Sequence, residues 1–265
     1  MTAGFRYPPW VAYEPDLVPP PDVMALEGIE VLEDWLRWGE EWAVLLRAVA
    51  GAGRDSALLE IGCGLGRIAF SLRYFLDRGS YHGFEIVKPK VDFLQSRFEP
   101  AHPNFRFTWA NVHNSHYNPG GAETASSYRF PWPDASFDVV FAASVFTHMT
   151  PASAANYFRE AGRVLRPGGR CLFSFFLLEF YQSLEHRPTG FNRPDFDLVH
   201  PYPPGAGGAA VAFPADPDRM TGYRLSLVRD MAEAAGLRVE GKPLPGYWSG
   251  ASRYVGAQDL VLLVK

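Results

Sequence analysis

With 265 residues, 47% hydrophobic and 20% charged, the chain has the composition of a globular protein with an ordinary core, not that of a disordered segment. A formal charge of −4 with no Lys/Arg block lacks the footprint of a phosphate-binding surface, so no nucleic-acid partner is expected. Two cysteines, Cys63 and Cys171, are too few for a disulfide framework or a thiolate zinc site; with no signal-like start and no apolar run of membrane length, a cytoplasmic protein without a membrane partner is expected.

Residues 1–21 hold six prolines and the aromatics Phe5, Tyr7, Trp10 and Tyr13, which predicts an irregular arm rather than a helix. From Trp35 the apolar positions Trp38, Trp42, Leu45, Leu46 and Val49 keep helical spacing, and Gly51 and Gly53 stop it. Short apolar strands are then predicted at Ala57–Gly62, Ser80–Glu85, Phe105–Trp109, Phe137–Ala143 and Arg170–Phe176. Helices are expected near 66–76, 89–98 and 151–165, the last closed by Arg166-Pro167-Gly168-Gly169. This alternation is the pattern of a doubly wound α/β fold with a mostly parallel sheet. Residues 180–220, rich in proline and glycine, read as a long irregular insertion after the fifth strand. A helix near 222–235 and a strand pair, Leu237–Gly241 with Asp259–Val264, end the chain. The expected division is an arm and cap helix over 1–50 and a ligand-binding domain over 51–265.

The strongest local signal is Glu60-Ile61-Gly62-Cys63-Gly64-Leu65-Gly66-Arg67, a strand entering a glycine turn that opens a helix. Gly62 and Gly64 let the backbone turn and approach a ligand, and the helix start turns amide N–H groups toward it. The dinucleotide fingerprint needs a small residue where Arg67 stands, and a carboxylate at Glu60 repels a diphosphate but can receive an ammonium. The charge pattern therefore favours S-adenosylmethionine (SAM) over NAD. Glu85, at the end of the second strand, is placed to accept hydrogen bonds from both ribose hydroxyls. After the third strand Asn111 can pair with an adenine edge, or serve as an ordinary loop asparagine, and Val112 can pack on the ring. His148 follows the fourth strand, where ligands of open α/β sheets sit, and is the catalytic candidate.

These residues resemble the class I SAM-dependent methyltransferases, most closely over 57–178. Within them the chain is similar to a bacterial group with the pattern G-C-G-x-G-R, Y-x-G-[FY]-[DE]-I, F-P-[YW]-x-D-x-S-F-D, S-V-F-T-H-M, R-V-L-[RK]-P-G-G-R and a C-terminal Q-D. It matches at Gly62–Arg67, Tyr81–Ile86, Phe130–Asp138, Ser144–Met149, Arg163–Arg170 and Gln258-Asp259, with Asn111 in place of the usual Asp. The resemblance implies a Rossmann-like, seven-stranded sheet with its last strand antiparallel, on which the 180–220 insertion after strand five would form a lid. It also implies cofactor contacts from Gly39, Glu60, Gly62, Cys63, Gly64, Arg67, Glu85, Ile86, Asn111, Val112, Ala143 and Ser144.

Methyl transfer from a sulfonium is an in-line displacement that needs alignment above all. A hydroxyl acceptor must also lose a proton, and a histidine with a pKa near 6.5 can take it, which predicts O-methylation of a small-molecule or sugar-like acceptor with His148 as base. Tyr13, Phe146, Tyr181 and Trp248 are candidates to line the acceptor site, or else to pack in the core. His113 and His116, three apart without a clear third ligand, predict no metal. The competing readings are a non-methylating or non-catalytic SAM-binding protein and, against Glu60 and Arg67, a NAD-dependent oxidoreductase.

Overall fold

The computed structural model describes residues 14–29, 31–181, 196–205 and 207–265, so Tyr13 and the rest of the arm before Glu14 lie outside the described residues. A short helix α1 (Pro21–Met24) and the long helix α2 (Leu32–Ala48) lead into β1 (Ala57–Ile61), α3 (Arg67–Leu72), β2 (Ser80–Glu85), α4 (Lys88–Ala101) and β3 (Phe105–Trp109). After a small pair, β4 (Val112–His113) and β5 (Glu123–Thr124), come β6 (Phe137–Ala142), α5 (Pro151–Val164) and β7 (Leu165–Phe175). Strands β8 (His200–Tyr202), β9 (Ala209–Val211) and β10 (Thr221–Tyr223) precede α6 (Leu225–Ala234), β11 (Arg238–Val239) and β12 (Asp259–Val264).

The main sheet runs β11-β12-β7-β6-β1-β2-β3, parallel throughout except that β12 is antiparallel to both its neighbours. Its central strands are mostly apolar because helices cover both faces. One face packs with α5 and α6 around Phe146, Phe158, Phe173 and Val261, the other with α2, α3 and α4 around Trp35, Phe70, Leu94 and Phe141. Strand order reverses between β1 and β6, and their carboxyl ends open the crevice where open α/β sheets bind ligands.

Four details differ from the sequence reading. The helix expected over 66–76 ends at Leu72, where the Arg73 guanidinium takes the Phe70 carbonyl that a continuing helix would use. The turn expected at Arg166–Gly169 lies inside β7: Phe137 pairs with Leu165 and Val139 with Arg170, so residues 166–169 bulge from the ladder. The helix expected from 222 starts at Leu225, because Thr221–Tyr223 pairs with β9. Within the insertion, two short stretches of the described residues are strands rather than irregular chain: β8 and β9 pair antiparallel and join β10 in a three-stranded sheet. No helix among the described residues is long and apolar enough to cross a membrane.

Candidate active site

At the carboxyl ends of β1, β2 and β6 lies a cavity of about 340 Å³, within the size range of small-molecule sites. Its wall brings together Glu60, Gly62, Cys63, Gly64, Arg67, Glu85, Ile86, Val112, Ala143, Ser144 and His148, which the sequence singled out from four separate segments. Gly62 and Gly64 stand at φ +68° and +53°, and the amides of Gly62 and Cys63 both donate to the Phe84 carbonyl, at 2.9 and 3.0 Å, tying the turn to β2. A side chain at Gly64 would meet the Glu27 carboxylate, so only glycine serves there.

Glu85 is held from three sides. Its Oε1 accepts the Ile86 and Val87 amides at 2.8 and 2.9 Å, and its Oε2 accepts the Gly64 amide at 3.0 Å. Glu60 lies deeper, at 3% exposure, and accepts a hydrogen bond from the Tyr81 hydroxyl. Burial pushes its pKa up to about 8, only partly offset by that bond and by Arg67. The charge expected at Glu60 from the sequence is thus absent from the ligand-free site at neutral pH, because desolvation outweighs its partners.

A cationic ligand that needs the ionised carboxylate must displace this proton. Affinity for SAM is therefore expected to rise by up to about tenfold per pH unit from pH 6 toward 8 and then level off, with close to one proton released per site at pH 7. Calorimetry in buffers of different ionisation heat measures both; a flat profile without proton release would show that Glu60 does not receive a cation. The same raised pKa gives stability that is complete below the unfolded value near 4.5 and is lost as pH rises through 8 in ligand-free protein.

His148 ends a 3₁₀ turn, Phe146–His148, after β6. Its Nδ1 lies 2.9 Å from the Arg219 carbonyl oxygen, which fixes the proton on Nδ1, and its Nε2 is 3.4 Å from the Tyr117 hydroxyl. Burial lowers its pKa to about 4, well under the value near 6.5 assumed from the sequence. The ring is neutral through the physiological range, with Nε2 as an unprotonated acceptor in the cavity wall.

Other candidates fall elsewhere. Gly39 packs α2 against α3, where a Cβ would strike the Arg67 carbonyl, and is outside the cavity wall. Asn111 is also outside it, its backbone carbonyl accepting the Ala122 and Glu123 amides; the asparagine that lines the cavity is Asn114, whose side chain donates to the His148 carbonyl at 3.1 Å. Phe146 is fully buried against Phe158, Phe173 and Phe175. Trp248 donates to Asp259 at 2.7 Å and packs on Phe176, and Tyr181 stacks on Trp248, so these three rings belong to packing clusters. His113 lines the cavity, and no three metal-binding side chains converge among the described residues. Sequence reasoning missed Glu27, Lys90, Tyr117, Tyr157 and Asp218, all in the wall; none lies in a recognisable local pattern.

The C-terminal Gln258-Asp259 pair anchors this crevice. Asp259 accepts the amides of Leu177 and Gly246 and the Trp248 indole, holding the β7 exit and the 246–249 turn together. Gln258 donates to Ser144 Oγ at 2.8 Å and accepts from Ser174 Oγ at 2.7 Å, while Ser174 Oγ accepts the Ser144 amide at 2.8 Å. This ring holds Ser144 at φ +60°, a conformation that costs a non-glycine residue about 1–3 kcal/mol. A second cavity, of about 270 Å³, meets the first at Arg67, Ala143 and Ser144 and is walled by Trp38, Trp42 and Tyr247.

Comparison with known proteins agrees with this geometry. Residues 59–173 match the family described as methyltransferase domain. The chain is 35% identical over 121 residues to 27-O-demethylrifamycin SV methyltransferase of Amycolatopsis mediterranei, covering 46% of this chain and 39% of that protein. It is 29% identical over 116 residues to an uncharacterized methyltransferase of Schizosaccharomyces pombe, covering 44% and 38%. The chain thus spans about two fifths of the length of these curated relatives. Among solved structures, DesVI of Streptomyces venezuelae aligns with TM-score 0.55 at 18% identity over 92% of this chain and 97% of that one. The SAM-bound CalS10, an amino pentose methyltransferase from Micromonospora echinaspora, aligns with TM-score 0.52 at 14% identity over 92% and 94%. At these identities the structural likeness concerns the fold.

Proposed function

From a chain that belongs to the class I SAM-dependent methyltransferases, we propose the transfer of the methyl group of SAM to a hydroxyl of a small, polar acceptor, with His148 receiving the hydroxyl proton. The observation that carries this reading is the imidazole of His148 in the wall of the cavity that also holds Glu85 and the glycine turn, its Nδ1 committed to the Arg219 carbonyl and its Nε2 facing the Tyr117 hydroxyl. The Amycolatopsis relative, named for an O-demethyl substrate, supports oxygen as the acceptor atom.

The residues present fit the cofactor. Glu85 supplies a carboxylate for ribose, and Ile86 and Val112 supply apolar walls for a purine. SAM supplies an electrophilic methyl on a sulfonium sulfur. The chain's own task is to align and dehydrate the reactants, with Ser144 held rigidly by Gln258 and Ser174 at the junction of the two cavities. As a hydroxyl oxygen forms its new bond to carbon, its proton becomes strongly acidic, so a base with a pKa of about 4 is strong enough to accept it at Nε2. Tyr117, beside Nε2, is placed to orient the acceptor or the ring.

Methyl-labelled SAM incubated with a panel of hydroxyl- and amine-bearing small molecules, with the methyl located by NMR, tests the reaction. Transfer only to nitrogen or carbon would overturn the oxygen assignment. His148→Ala is expected to lower kcat by about 10²- to 10⁴-fold while S-adenosylhomocysteine still binds. Because His148 is already neutral, the wild-type rate should show no histidine limb between pH 6 and 8. A variant that retains a third of the wild-type kcat would remove His148 from the proton path.

A further inference from the structure

Two charged side chains in the cavity wall have no role in the reading above, and both are incompletely satisfied. Glu27 comes from the segment 14–29 that precedes α2, with its side chain 9% exposed; Lys90 lies in the first turn of α4, with its side chain 6% exposed. Glu27 Oε1 accepts the Leu65 amide and stands 3.7 Å from Lys90 Nζ, too far for a hydrogen bond. Its Oε2 has no hydrogen-bond partner among the described residues, and neither does the Lys90 ammonium. Buried charged groups are costly unless hydrogen-bonded, so an open acceptor beside an open donor in a cavity marks a place for a group that is both. A hydroxyl is that group: it can donate to Glu27 and accept from Lys90.

The position of this pair relative to Glu85 identifies which hydroxyl. The amides of Gly64 and Leu65 are consecutive, and each holds one carboxylate, Glu85 and Glu27 respectively. A Cβ on Gly64 would meet the Glu27 carboxylate while the Gly64 amide donates to Glu85, so the two carboxylates flank the same glycine. A carboxylate offers about four acceptor sites, and Glu85 already spends three on the Gly64, Ile86 and Val87 amides. It has room for one ribose hydroxyl rather than the two expected from the sequence, and a vicinal diol needs a second acceptor next to the first.

We propose that Glu27 and Lys90 bind the second ribose hydroxyl of the cofactor, making Glu27 a specificity-determining residue that the N-terminal segment contributes to the cofactor site. This inference rests on the methyltransferase reading. Two adjacent carboxylates around the diol also exclude nucleosides that carry a ribose phosphate, by charge repulsion.

The test is calorimetric titration of the full chain with S-adenosylhomocysteine and with its 2′-deoxy and 3′-deoxy forms. In the wild type each missing hydroxyl is expected to weaken binding about tenfold or more. In Glu27→Gln, S-adenosylhomocysteine is expected to bind about tenfold more weakly, and one of the two deoxy penalties should fall below about threefold while the other persists. Glu27→Asp, which keeps the charge but withdraws it by one methylene, should show the same selective loss in smaller degree, and serves if Glu27→Gln does not fold. If Glu27→Gln and Glu27→Asp keep both penalties, or weaken all three ligands equally, Glu27 only shapes the segment and the proposal is overturned. Failure of the wild type to bind any of the three would instead overturn the cofactor reading on which it stands.

Discussion

Glu85→Ala is expected to bind S-adenosylhomocysteine about 100-fold or more weakly than the wild type, the largest loss from any single side chain in the cofactor site. The substitution acts twice. It removes the carboxylate that faces the cavity, and it leaves the amides of Gly64, Ile86 and Val87 without the acceptor that now gathers them. Hydrogen bonds to a charged group contribute about 1.5–3 kcal/mol each, and buried donors left unpaired cost a similar amount. Because Glu85 joins the glycine turn after β1 to the start of α4, its loss also loosens the wall that a nucleoside must meet. Glu85→Gln should recover little, since its amide NH₂ would face N–H donors. Calorimetry decides the matter, and an affinity within fivefold of wild type for Glu85→Ala would show that the ribose is held elsewhere.

The largest effect on stability is expected at Arg163, in α5. Its guanidinium donates to the carbonyls of Trp132 and Phe130 at 2.8 and 2.9 Å, to Asp134 at 2.8 Å and to Glu160 at 2.6 Å, and Glu160 in turn accepts the Phe130 amide at 2.9 Å. The side chains of Arg163 and Glu160 are 14% and 8% exposed, so removal of the cation leaves a nearly buried carboxylate unpaired. That outcome costs about 3–5 kcal/mol. For a chain of this size the loss lowers Tm by roughly 6–20 °C, read by calorimetric or CD melting. Arg163→Lys should recover only part of it, because an ammonium lacks the planar fork that serves several acceptors at once. The clamp fixes Phe130, whose ring packs on Phe84 and Tyr157, two residues of the cavity wall. A fall in Tm of less than 3 °C would mean that the segment is held by packing alone.

The path from sequence to site was uneven for physical reasons. The glycine turn, Glu85 and the position of His148 were legible because each is announced by residues adjacent in the chain: a strand, a turn that needs positive φ, a helix start. A seven-stranded sheet with its last strand antiparallel followed from the family pattern and is what the structure has. Asn114 was not legible as a residue of the cavity wall, because its side chain is set by contacts with the His148 carbonyl and the His116 and Tyr117 amides that only the fold brings together. Phe146 and Trp248 looked available for a ligand as aromatic residues near the right strands, yet rings from β7, α5 and the insertion already surround them.

Period and turn chemistry are local properties, so the order of residues alone determined an α/β chain with a nucleoside-sized turn after its first strand and an acid after its second. The protonation of Glu60 and His148 was decided only when distant segments buried them, since a pKa answers to desolvation and to charges brought from elsewhere. The same holds for Glu27, which shares the cavity wall with Lys90 and Leu65 although 38 positions of chain separate it from the amide it accepts. No spacing rule spans such a distance, because the fold, not the backbone period, sets which side chains meet there.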